Sequence, residues 1–111
     1  MEKTRLIEAT CPDCRGPLSQ TAEDDQAHEY RCLVGHRYSA RGLLEAHSET
    51  QEKALWSAVV ALEEATNMVR ALAAEFPPEI GERLHRQAET KRAQAAEIRA
   101  VLTHLEAFQV V

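Results

Sequence analysis

Two short segments carry most of the residues in this chain whose types and spacing can do chemistry. CPDCRG, residues 11–16, holds two thiols with two residues between them, and CLVGH, residues 32–36, holds a third thiol and an imidazole with three residues between them. Such a set is open to four readings: a metal site, a redox switch, a catalytic thiol with its base, or small buried core residues.

The spacings favour metal. Two thiolates separated by two residues can bite one ion in a tight turn, and Gly16 and Gly35 let backbone amides turn towards sulfur without a Cβ clash. Pro12 fixes φ on entry to the first turn, and Gly16 is expected to supply the permissive φ on exit. Cys11, Cys14, Cys32 and His36 make a tetrahedral Cys3His set with no open position, and thiolate-rich ligation selects zinc over harder ions. The expectation is one structural Zn2+ per chain. His28 and His47 flank the segment as alternative nitrogen ligands, although neither stands at knuckle spacing from a cysteine.

Catalysis finds little to work with. Cys32 with His36 as nucleophile and base leaves the CPDC pair unexplained, and a four-residue offset in one turn does not aim a base by itself. There is no G-x-S-x-G elbow. Glu82 and His85 form a Glu-x-x-His unit, but di-iron bundles need two such units and further inward glutamates. The chain is therefore read as a non-enzyme, with a zinc–thiolate redox sensor as one alternative, since oxidised thiolates release their metal.

The elements that must position these residues follow from the surrounding pattern. Residues 1 to about 10 form a short polar lead in which Leu6 and Ile7 are the only candidates for a docking strand. After CPDCRG come PLSQ, an acidic turn around Glu23 to Gln26, and HEYRCLV, where Tyr30, Cys32 and Val34 alternate with charged or small residues as in a short β-hairpin. From Ser39, an N-cap, the period becomes helical and no proline intervenes until FPPE at 76–79.

Leu55, Val59, Leu62, Val69, Ala73 and Phe76, with Thr66 in the gap, trace a heptad stripe. Leu84, Ala88, Ala95, Ile98, Leu102 and Leu105 repeat it on a second helix, roughly 79–108, with Lys91 the awkward member. Pro77 and Pro78 force a sharp reversal between the two. Trp56 is expected to pack where the ribbon meets the helices. A second stripe lies beside the first on each helix: Ala58, Ala61, Ala65, Met68 and Leu72, then Ala93, Ala96, Ala100, Thr103 and Ala107. A hairpin has one internal interface, so a second stripe implies a partner, and a second copy forming a four-helix bundle is the simplest.

The fold class read from these patterns is mainly α with a small β zinc ribbon. The ribbon spans 1–38 and a long antiparallel helical hairpin spans 39–111, paired as a homodimer through the helices. Thirteen Lys/Arg against eighteen Asp/Glu give a net charge of -5, and residues 1–42 hold six basic against seven acidic residues, so no half is basic. That disfavours phosphate-backbone binding. A nucleic-acid-binding ribbon using Arg15, Arg31, Arg37 and Arg41 is the alternative from another class. No apolar run suits a signal peptide or a membrane span, and an odd number of thiols fits a reducing compartment, so a cytoplasmic protein is expected.

CPDCRGPL, YRCLVGHRYSARGLL and ALWSAVVALEEA together resemble the zinc ribbon and helical extension that follow the catalytic domain in some bacterial chemotaxis-type protein-glutamate methylesterases. The resemblance covers about residues 11–100, and C-x-V-G-H-x-Y-S is its most specific part. It implies metal ligation by Cys11, Cys14, Cys32 and His36 and a bacterial signalling or chemosensory setting. It implies no esterase activity, because the catalytic domain and its serine are not in this sequence. The expected function is a zinc-stabilised protein-interaction module whose protein partner is unknown.

Overall fold

The computed structural model of the chain describes residues 3–22 and 28–111. Four strands, β1 (Lys3–Thr10), β2 (Pro17–Ala22), β3 (Glu29–Cys32) and β4 (Arg37–Tyr38), form one antiparallel sheet in chain order. Two helices follow, α1 (Ala40–Leu72) and α2 (Pro78–Thr103), with a 3-10 turn at Ala73–Glu75 between them. The described chain divides into two compact units: residues 1–50 with 106–111, and residues 51–105. The division falls inside α1.

In the first unit the hairpin expected between the two cysteine segments is present as the β2–β3 pair, with Leu18 opposite Cys32 and Gln20 opposite Tyr30. The turn expected around Glu23 to Gln26 lies outside the described residues. Two strand expectations need correction. The lead segment is a full eight-residue edge strand, β1, paired along β2 from Lys3–Ala22 to Thr10–Pro17 with an irregularity between Ile7 and Thr10. Apolar patterning could not find it, since only Ile7 packs inward and backbone hydrogen bonding carries the rest. In the other direction, β3 ends at Cys32, and Val34 lies in the following turn, 77% exposed beside Leu33 at 88%.

The core of this unit is Cys11, Leu18 and Cys32, with Ile7, Tyr38 and Leu43 packed against it. Ser39 caps α1 as its type and position suggest: the Gly42 amide donates to Ser39 Oγ at 3.0 Å. A side chain at Gly42 would crowd that cap, because its Cβ would come within 3.1 Å of the hydroxyl. Leu43, one turn into the helix, is thereby delivered to the ribbon core.

In the second unit the first stripe forms the helix–helix seam. Val59 and Ala95 are fully buried, Ala88 nearly so, and Leu55, Leu62, Thr66, Val69, Leu84, Ile98 and Leu102 are half-buried. The helices run antiparallel, since Glu63 pairs with Arg99 at 2.8 Å while Gly81 lies buried against Ala73. Lys91 is exposed, and so are Phe76 at the reversal and Leu105 beyond the end of α2.

Two details differ from the sequence reading. α1 stops at Leu72 and tightens into the 3-10 turn, because residues before proline avoid the α region and Phe76 is extended at φ -119, ψ 160. α2 ends at Thr103, not near 108. Thr103 Oγ1 bonds back to the Ala100 carbonyl, and the following backbone takes partners on α1 instead, with the Phe108 amide donating to Ser48 Oγ and Arg41 donating to the Val110 carbonyl. Trp56 carries the Arg99 guanidinium 5.3 Å over its ring.

Candidate metal centre

Both knuckles stand at the same end of the sheet because the strands alternate in direction: the first joins β1 to β2 and the second joins β3 to β4. The Leu18–Cys32 register then brings them together. The first knuckle is closed by Cys11 N–H donating to the Gly16 carbonyl at 2.7 Å and Arg15 N–H donating to the Cys11 carbonyl at 2.8 Å. The second is closed by Cys32 N–H to His36 O at 3.1 Å and Gly35 N–H to Cys32 O at 3.2 Å.

One ligand atom from each of Cys11, Cys14, Cys32 and His36 falls in a group whose members all lie within 4.8 Å of one another. Cys14 Sγ is 3.7 Å from Cys32 Sγ, and His36 Nδ1 stands 3.3 Å from Cys32 Sγ and 3.5 Å from Cys11 Sγ. Nδ1 is thus the nitrogen turned to the sulfurs. Among the described residues this is the one cluster suited to an ion. Neither His28 nor His47 belongs to it, and Glu82 and His85 form no such group.

The local field supports the thiolate at two of the three cysteines, Cys11 and Cys32. Burial alone would push Cys32 up, yet the His36 and Gly35 amides, Cys14 and the His36 ring bring it down to about 6. Burial likewise works against Cys11, and the Tyr38 hydroxyl with local backbone amides outweighs it and lowers that thiol. At Cys14 the Gly16 amide favours the thiolate, but burial and the neighbouring sulfurs prevail and raise it. Three sulfurs this close repel one another once ionised, and hydrogen bonding to Cys32 and Cys11 raises the His36 imidazole above its ordinary value. The donor set fits a cation bound among the four: three soft sulfurs and one imidazole nitrogen, all reduced and free of disulfides.

Sequence reading missed two residues beside this cluster. The Tyr38 hydroxyl lies 3.5 Å from Cys11 Sγ and donates to Asp13 Oδ2, so a residue of β4 holds the first knuckle and orients one of its sulfurs. Burial, Asp13 and Cys11 all raise the Tyr38 phenol, which stays protonated and able to donate. The signal was present, since Asp13 sits between the first two cysteines and Tyr38 two residues after His36, but no spacing rule marks a residue that touches a ligand without being one.

The permissive φ expected at Gly16 belongs instead to Arg15, at φ 63; Gly35 has the other, at φ 114. An L-residue in the left-handed region costs about 1–2 kcal/mol, and glycine's extra freedom in the unfolded chain returns part of that. Arg15→Gly is expected to stabilise the folded knuckle by roughly 0.5–1 kcal/mol, read as roughly two- to five-fold tighter metal affinity in competition with a chromophoric chelator. Unchanged or weaker affinity would count against the strain.

The fold and the cluster together define a class: a four-stranded ribbon presenting a Cys3His cluster that could hold a cation, joined through α1 to an antiparallel helical hairpin. Comparison with protein-family models, with curated proteins and with solved structures gives no match to this chain. No helix is long and apolar enough to cross a membrane among the described residues.

Proposed function

We propose that this chain is a zinc-stabilised, non-enzymatic protein-interaction module that self-associates through its helices. One Zn2+ per chain, held by Cys11, Cys14, Cys32 and His36, would fix the knuckles and with them the start of α1. The observation that carries this reading is the convergence of four donors within 4.8 Å beside a core whose largest fully buried ribbon side chain is Leu18. Burying one leucine contributes about 1.5–3 kcal/mol, whereas zinc on such a donor set contributes about 10–16 kcal/mol to folding a small module. The ion outweighs the apolar core, which is the signature of a structural site. Four protein donors also fill a tetrahedral ion, leaving it no position for a substrate.

The interaction role rests on the helices, where Val60, Met68, Leu72 and Val101 are 44–59% exposed. The nucleic-acid reading is weaker, since Arg37 is paired with Glu29 at 3.3 Å and Arg41 is engaged by the Val110 carbonyl. The likeness of the knuckle segments to the ribbon of chemotaxis-type methylesterases supports a bacterial signalling setting. Metal analysis of the purified chain is expected to give one zinc per chain, retained through dialysis and released by a thiol-modifying reagent. A chain that folds its sheet without metal, or that selects a harder ion over zinc, would overturn the reading.

A further inference from the structure

The second apolar stripes of the two helices do not share a side of the hairpin. Successive helical residues are about 100° apart, so on α2 Arg99 lies on the same flank as Ala96, Ala100 and Thr103. On α1, Glu63 and Trp56 lie on the flank opposite Ala58, Ala61 and Ala65. Arg99 bonds Glu63 and covers Trp56, so those flanks coincide. The α1 stripe therefore faces one side of the hairpin and the α2 stripe the other, and a single two-fold interface can cover only one of them.

The α1 stripe has the properties that self-pairing requires. Extended back one turn it reads Ala54, Ala58, Ala61, Ala65, Met68 and Leu72, alternating four- and three-residue steps on one face. Its residues pair by size about a centre at position 63: Ala54 with Leu72, Ala58 with Met68, Ala61 with Ala65. Each large side chain is matched by a small one equally far from the centre. Met68 and Leu72 are 59% and 44% exposed, so the large end is uncovered in one chain. Beyond the ends of the stripe lie Lys53 and Glu75, opposite in charge, both exposed. In an antiparallel arrangement each Lys53 meets the partner's end that carries Glu75, which places opposite charges together twice. Glu64 is the one residue on this flank brought towards its own copy, an electrostatic cost set against the two terminal pairings.

We propose that α1 packs antiparallel on α1 of a second copy, with the two-fold axis crossing the helix near residue 63 and the α2 stripe left outside the interface. This rests on the self-association reading and specifies its geometry.

The test combines light scattering with a photo-crosslinker. Wild type is expected to be a dimer at tens of micromolar. Met68→Glu is expected to weaken the dimer at least tenfold, and Ala96→Glu, on the α2 stripe, to leave it unchanged, both keeping the wild-type helical circular dichroism. Leu72→p-benzoylphenylalanine is expected to give a covalent dimer joined from position 72 to the Ala54–Ala58 turn of the other chain. That turn is about 21–27 Å from Leu72 within its own helix, so the link cannot be intramolecular. Attachment near residue 72 of the partner, or on α2, would overturn the antiparallel α1 pairing while leaving self-association standing, as would a dimer broken by Ala96→Glu. A wild type that stays monomeric would remove both.

Discussion

Replacing Cys14 by Ala is expected to abolish metal binding and unfold the ribbon, residues 3–38, while the helical hairpin of residues 51–105 stays folded. The ribbon buries Cys11, Leu18 and Cys32, with Ile7, Tyr38 and Leu43 only partly covered, and two of its three core members are themselves donors of the cluster. Deleting one thiolate from the proposed tetrahedral site would remove an interaction worth several times what Leu18 contributes. Cys14 is the exposed cysteine of the three, so its loss opens no cavity and the effect reports on the ion alone.

In the wild type, loss of the dispersed β-strand amide resonances on adding a strong chelator, with helical circular dichroism largely retained, should reproduce the variant. A variant that keeps metal and an ordered sheet would refute the reading. Acid should act in the same direction, because metal binding displaces thiol protons. Folding alone already holds Cys32 down from 9.0 to about 6. A thiol lowered in the folded state stabilises fully above about pH 9 and loses that contribution as the pH falls towards 6. Metal release on acidification is therefore expected to begin near or below pH 6, followed by the absorbance of an acid-tolerant metal indicator.

What could be read from the sequence was what short-range spacing encodes. C-x2-C and C-x3-H are properties of single turns, and the register of β2 on β3 joins them, so the cluster was legible before any fold was known. The seam of α1 and α2 was legible for the same reason, since a heptad stripe is a local pattern with one geometric solution. What escaped was whatever depends on a distant partner. β1 is a strand because β2 offers it backbone groups, not because KTRLIEAT alternates. Tyr38 and Asp13 meet only when the two knuckles close on each other. α2 ends early because Ser48 and Arg41, some 60 residues upstream, take the backbone that would have continued it. Arg15 carries the left-handed φ that glycine usually takes, and only the backbone trace shows which residue turns.

Val59→Asp is expected to do the converse of Cys14→Ala: melt the hairpin and leave the metal-bound ribbon in place. Val59 is fully buried at the centre of the seam, between Leu55 and Leu62, and the α2 residues that line the seam most deeply are Ala88 and Ala95. Nothing there can neutralise a carboxylate, because the basic side chain that reaches across from α2, Arg99, is committed to Glu63. An unpaired buried charge costs roughly 3–5 kcal/mol, and Val59→Ala, which loses only packing, costs about 1–2 kcal/mol. Most of the stability of helices in proteins comes from packing an apolar face, so the larger cost exceeds what a two-helix seam supplies.

The distinguishing readout lies inside α1, which belongs to both units. In Val59→Asp, amide protection should persist over residues 40–50, where Ser39 caps the helix and Leu43 packs on the ribbon core, and vanish from 51 onward. In Cys14→Ala the protected and unprotected stretches should exchange places about the same boundary. Uniform loss of protection along α1 in either variant would mean that the ribbon and the hairpin fold as one cooperative body, and the metal would then be holding the helices as well as the knuckles.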